Sequence, residues 1–134
     1  MSYRESTHNR NVLIKLEIEM KYQASCHCGN VSFVFDSEIK EALSCNCSIC
    51  ERRGSLLIFI PRSELQLLTP EEAAVTYTFN KHTIKHRFCS TCGIHPYGEG
   101  LDPQGNAVAA INIRCVEGLD VAAIPVQYFD GKSA

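Results

Sequence analysis

Seven of the chain's eight cysteines fall in three tight groups: Cys26-His27-Cys28, Cys45-Asn46-Cys47-Ser48-Ile49-Cys50 and Cys89-Ser90-Thr91-Cys92-Gly93. Any fold for this chain has to accommodate them, because thiols at these spacings aim at a common point. Residues i and i+2 of an extended chain project to one side. A slight tightening of C-x-C then lets both sulfurs reach one ion at about 2.3 Å. In C-x-x-C a turn does the same, and Gly93 can take the left-handed backbone that such a turn needs.

Seven thiols do not divide evenly into tetrahedra, and four plus three is the natural partition. The distant pairs Cys26/Cys28 and Cys89/Cys92 can close a four-sulfur site, the saturated layout of a structural zinc. The triplet Cys45, Cys47 and Cys50 sits on one short loop and leaves a fourth position for water or substrate, the layout of a catalytic zinc. This reading predicts two Zn²⁺ per chain, the catalytic one more labile. Other readings stay open. A single four-sulfur zinc would make the triplet ancillary. Iron–sulfur ligation would have to do without the usual ferredoxin spacings. A redox C-x-x-C at Cys89/Cys92 would lack its βαβ surroundings, and the thiols could all be merely buried. Cys115 stands alone and reads as a small core residue.

The chain has 134 residues and a formal net charge of −2, the size of one domain. Seven thiolates would outweigh two zinc ions and make it more acidic still, the wrong sign for gripping phosphate backbones. No nucleic-acid partner is therefore expected. No stretch is apolar enough to span a bilayer, so no membrane partner is expected either. Residues 1–11 carry no apolar signal core, and a cytoplasmic, thiol-reducing setting is the expectation.

Strands dominate the pattern. Val12 to Met20 alternates well, with Val12, Ile14, Leu16, Ile18 and Met20 on one face; it is either an extra edge strand or part of an upstream leader, 1–19, ahead of a single zinc-binding domain, 20–134. Further runs are Val31–Phe35, Leu56–Ile60, Val75–Phe79, Thr83–Phe88, Ala107–Ile113 and Val126–Phe129, with turn signals between them, Asp130-Gly131 among these. Only 61–65, 70–74 and 47–53 have room for single helical turns. A mainly β fold of small antiparallel sheets with metal-bearing loops is predicted.

Among the histidines, His27 should point away from its flanking ligands. His82 and His86 share strand parity with Ile84 and Phe88 and read as half-buried imidazoles. His95 is the best histidine candidate for a fourth ligand or a proton shuttle, although a structural imidazole is the reading placed ahead of either. Arg52 and Arg53, directly after the triplet, are placed to offset thiolate charge or to meet a substrate carboxylate. Lys85 and Arg87 share a strand face with Cys89 and are second candidates, read otherwise as solvated charge.

Ser25-Cys-His-Cys-Gly29, then Ser44-Cys-Asn-Cys-Ser-Ile-Cys50 with Arg52-Arg53-Gly54, then Lys85-His-Arg-Phe-Cys-Ser-Thr-Cys-Gly93 together resemble the glutathione-dependent formaldehyde-activating enzyme family, which also includes centromere protein V. The likeness runs from about Met20 to Gly131. It implies an Mss4-like fold, with Cys26, Cys28, Cys89 and Cys92 on a structural zinc and Cys45, Cys47 and Cys50 on a catalytic one. It also implies a carbon–sulfur lyase activity on adducts of glutathione, or another thiol, with a small aldehyde, such as S-hydroxymethylglutathione. Arg52 and Arg53 would then be glutathione contacts. The rival function is a non-enzymatic, zinc-stabilised interaction module, since the Mss4-like fold also serves a protein that binds small GTPases. A chromatin role, as centromere protein V would suggest, sits badly with the acidic balance.

Overall fold

Phe33 and Phe35 are buried while Ser32, Val34 and Asp36 between them stay partly exposed, the period-two signature of a half-buried strand. The computed structural model describes residues 21–133; the Val12–Met20 alternation and the leader 1–19 lie outside the described residues. Ten strands follow one another as β1 (Lys21–Ser25), β2 (Ser32–Asp36), β3 (Ala42–Cys45), β4 (Leu57–Pro61), β5 (Leu65–Leu67), β6 (Ala74–Tyr77), β7 (Lys85–Cys89), β8 (Tyr97–Leu101), β9 (Ala107–Asn112) and β10 (Val126–Phe129). Among the described residues one short helix, α1 (Ser48–Arg53), stands between β3 and β4. Four single 3₁₀ turns make up the remaining helix among the described residues.

The strands form a small sheet, β1-β2-β5, and a large one, β10-β3-β4-β9-β8-β7-β6. All neighbours pair antiparallel except β10, which runs parallel to β3 with Val126 opposite Ala42 and Phe129 opposite Cys45. The two sheets share one core. Phe33 of the small sheet meets Tyr97 of the large one edge-on, ring centroids 5.3 Å apart, and Ile111 and Ile113 are fully buried beside them. Val116 bridges Ala24 and the Glu117 N–H donates to the Gln23 carbonyl at 2.8 Å, so the chain leaving β9 is tied to β1. The fold is thus mainly β, with two largely antiparallel sheets and little helix. No helix among the described residues is long and apolar enough to cross a membrane.

Three strands carry no clear alternation in sequence. β8 reads Tyr97-Gly-Glu-Gly-Leu101, with glycines where β-branched residues would signal a strand. Gly98 is needed for close packing, since a Cβ there would stand 3.2 Å from the Lys85 carbonyl oxygen on β7. β3 and β5 are too short to show a period. The Thr83–Phe88 run is corrected at its start, because Asn80 and His82 adopt φ of 57° and 59° and the chain turns there before β7 begins. His82 is accordingly exposed, not half-buried, and its Nδ1 lies 2.7 Å from the Thr78 hydroxyl. The parity argument fails for it because a turn residue has no strand face.

Arg87 is also not solvated surface charge. It is buried, lies 3.7 Å from both Glu71 and Glu99, donates to the Glu71 carbonyl at 2.9 Å and stands over the Tyr97 ring. Glu99 in turn accepts from Arg62 at 2.7 Å. With its charge met on both sides, Arg87 is a structural ion-pair residue. Lys85 remains exposed.

Candidate metal centres

The first centre joins the two sheets. β1 ends directly before Cys26, and the hairpin to β2 is closed by the Cys26 N–H donating to the Val31 carbonyl at 2.9 Å. β7 ends at Cys89, whose N–H donates to the Ile94 carbonyl at 2.9 Å while the Gly93 N–H returns to Cys89 at 2.9 Å. Gly93 holds φ of 80°, which a Cβ would disfavour. These two turns bring the sulfurs of Cys26, Cys28, Cys89 and Cys92 within 4.8 Å of one another. Cys28 Sγ stands 3.7 Å from Cys26 Sγ and 3.5 Å from Cys89 Sγ. Thiolates bound tetrahedrally at 2.3 Å lie about 3.8 Å apart, so the set fits one ion with little adjustment. Backbone N–H groups of Val31, Thr91 and Cys92 point at Cys26 and Cys89 sulfurs at 3.3–3.4 Å, favouring the ionised form. The Cys92 thiol is drawn down to about 6, chiefly by the Ile94 N–H.

The second centre belongs to one loop. Cys45 closes β3, Cys47 stands at the N-cap of α1, and Cys50 follows within its first turn. Their sulfurs also lie within 4.8 Å of one another, and among the described residues no histidine or carboxylate joins them. Although burial opposes it, Cys47 is held below the ordinary thiol range by the N–H groups of Cys50 and Ile49 and by its sulfur neighbours. Cys50 is pushed up to about 12 by burial and by Cys47 and Cys45. Three thiols this close cannot all ionise without a cation among them. All-thiol sets of this kind suit a soft, tetrahedral ion such as zinc.

A clasp from the chain's end holds this loop. The Asn46 N–H donates to the Phe129 carbonyl at 3.2 Å, and Asn46 Nδ2 donates to Asp130 Oδ1 at 3.0 Å. The Lys132 N–H donates to Asn46 Oδ1 at 3.0 Å, and Lys132 Nζ pairs with Glu51 at 2.9 Å. Gly131 lies against the sulfur itself: a Cβ there would collide with Cys45 Sγ and stand 3.1 Å from Cys47 Cβ. In sequence Asp130-Gly131 is legible only as a turn, because the contact depends on β10 pairing with β3.

Around α1 the side chains divide. Arg52 is exposed, and its guanidinium donates to the Ser48 carbonyl of its own helix at 2.9 Å. Arg53 is half-buried and reaches His86 Nδ1 at 3.4 Å. Arginine only donates, so His86 accepts at Nδ1 and carries its proton on Nε2. Burial lowers the Arg53 guanidinium, and the nearby thiols of Cys50 and Cys47 act against that. Phe79 stacks on His86 at 5.4 Å and on Tyr77 at 5.8 Å, an aromatic wall along a cleft of about 340 Å³ shared with Ser48, Ile49 and Arg52. His95 lies 6.1 Å from His86, outside both sulfur groups. Both its ring nitrogens are buried without a hydrogen-bond partner in the described structure, and burial, Arg53 and His86 push it down to about 3. His27 is exposed. Cys115 packs beside the core, its thiol raised to about 11 by burial and by Cys26 and Cys92.

Four sulfurs drawn from two sheets, and three more on a single loop, define a cysteine-rich β protein with two sites able to hold metal. The sequence profile of the glutathione-dependent formaldehyde-activating enzyme family matches residues 21–129, and the chain belongs to that family. A glutathione- and formaldehyde-related role follows at the level of the family. The crystal structure of a Rhodobacter sphaeroides protein, a structural-genomics target, is similar at a TM-score of 0.67 and 29% identity, over 78% of this chain and 99% of that one.

Proposed function

We propose that the protein is a zinc-dependent enzyme of the carbon–sulfur lyase type, acting on adducts of glutathione or a related thiol with a small aldehyde. In this reading Cys26, Cys28, Cys89 and Cys92 hold a structural zinc. Cys45, Cys47 and Cys50 hold the catalytic, more labile one. The observation that carries it is the three-sulfur loop, which offers no fourth ligand atom among the described residues. A zinc ion bound there would keep a substrate thiol deprotonated, because coordination removes the proton outright.

The reaction itself is a simple addition. The substrate sulfur attacks the aldehyde carbon and a C–S bond forms. The carbonyl π pair moves to oxygen, which takes up the proton the thiol gave, and the reverse is the lyase direction. Positioning the two reactants is the larger part of the task. Three thiolates already exceed the charge of a divalent ion, which disfavours carbonyl polarisation and favours thiol activation. A fourth thiolate adds to that excess, and half-buried Arg53 beside Cys50 and Cys47 supplies compensating charge. His86, with Nδ1 turned to Arg53, keeps that guanidinium in place. Arg52, exposed on the aromatic-lined cleft, is free to turn toward a substrate carboxylate.

Cys47→Ser tests the reading. The variant should hold one zinc per chain where the wild type holds two, and should lose at least a hundredfold in thiol-dependent formaldehyde consumption. Wild-type rates in that variant would eliminate the proposal.

A further inference from the structure

β3 and β4 pair only at Leu43 and Leu57, whereas the opposite edge of β4 is paired with β9 along its whole length, from Leu57 on Asn112 to Pro61 on Val108. Where β3 diverges from β4 a cleft of about 550 Å³ opens, with Ser37, Glu38 and Lys40 on one side and Ile58 and Phe59 on the other. Among the described residues no strand pairs the cleft-side edge of β4 from Ile58 to Pro61, and Phe59 is 56% exposed there. An open edge of this kind is a template for a further strand.

The chain enters β1 at the rim of this cleft. Lys21, the first residue of β1, stands opposite Asp36 and lies 4.0 Å from its carboxylate. The next residue after Asp36, Ser37, lines the cleft. Tyr22 and Ala24 are the residues of β1 that pack on the core. Val12, Ile14, Leu16, Ile18 and Met20 have the same parity, so the alternation ahead of β1 is in phase with its core face. Continued backward, the β1–β2 register sets Ile18 opposite Ile39, itself packed against the core, and Glu17 opposite Lys40. We propose that segment 12–20, which lies outside the described residues, prolongs β1 into this cleft and pairs with the free edge of β4. The first metal centre joins the two sheets at the Ser25 end of β1, and the leader joins them at the other end. The family profile begins at residue 21, so this second tie lies outside what the family match covers.

The chain contains no tryptophan, so Phe59→Trp places a single fluorescent reporter in the cleft. In the full-length, zinc-loaded protein its emission should be that of a covered indole, and Leu16→Asp with Ile18→Asp should shift it to longer wavelength. Amide exchange at the cleft-facing positions of 58–60 should quicken at least tenfold in the same double variant. Glu17→Lys alone should quicken it about twofold, and Lys40→Glu added to that variant should restore the original rate. Emission and exchange unchanged by Leu16→Asp with Ile18→Asp overturn the docking. Should that variant unfold, the charge pair decides, and a Glu17→Lys effect that Lys40→Glu leaves unrescued overturns the register. Protection that grows with protein concentration, with dimers in sedimentation, means that a second copy's strand fills the cleft and overturns the assignment to the chain's own leader.

Discussion

At the scale of single residues, burial does most to set the chemistry. His95 is held at about 3 although an imidazole ordinarily titrates near 6.5. The unfolded chain therefore takes up a proton that the folded chain refuses. Stability is full above about 6.5 and is lost as pH falls through the window toward 3, because the unfolded state binds more protons there. The contribution is on the order of 5 kcal/mol across the whole window. Urea unfolding of His95→Gln at a series of pH values should therefore show a shallower acid slope than the wild type. Metal loss contributes equally to both proteins, so identical slopes would contradict the buried, neutral state of His95. A structural imidazole is the leading reading for this histidine near C-x-x-C-G, and it lies outside both sulfur groups, but its unpartnered ring nitrogens depend on the packing around it. The same holds for Arg87, whose neutralising partners Glu71 and Glu99 come from a distant turn and a neighbouring strand.

At the scale of elements, the parallel pairing of β10 with β3 matters most for the second centre. It delivers Gly131 onto Cys45 and supplies the Asp130 and Lys132 contacts to Asn46 and Glu51. A side chain at 131 cannot be accommodated without moving a sulfur. Gly131→Ala should hold the first metal normally and bind the second at least tenfold more weakly. Cobalt substitution reads this directly, as the loss of one of two thiolate-to-cobalt absorption sets in a folded protein. Two full equivalents with unaltered spectra would show that the clasp is not needed. The C-x-C-x-x-C spacing made the loop visible as a ligand group, but its fastening to the chain's end was not. A parallel strand pair joins segments more than eighty residues apart, and no local pattern marks such a partner.

At the scale of the whole molecule, the first centre sits where the two sheets meet. Cys26 and Cys28 leave the small sheet, and Cys89 and Cys92 leave the large one. A metal bound there ties them together, and its binding energy adds to folding. Cys28→Ser should lower Tm by roughly 10 °C or more, since about 3 kcal/mol corresponds to that shift in a chain of this size. Cys47→Ser, which opens a site within one loop, should lower it by only a few degrees. Equal shifts in thermal unfolding would deny the first centre its role as the staple.

Cysteine spacing and strand alternation are local properties, legible without a fold, and they suffice for a mainly β chain with two thiol clusters. Glycine-rich β8, the reversal at Asn80 and His82, the contact of Arg53 with His86 and the seat of Gly131 on Cys45 are different in kind. Each depends on which distant backbone lies alongside, and short-range patterning carries no record of that. Burial, charge pairing and close approach arise from assembly of the sheets, so the surroundings of the thiols emerge only with the folded chain.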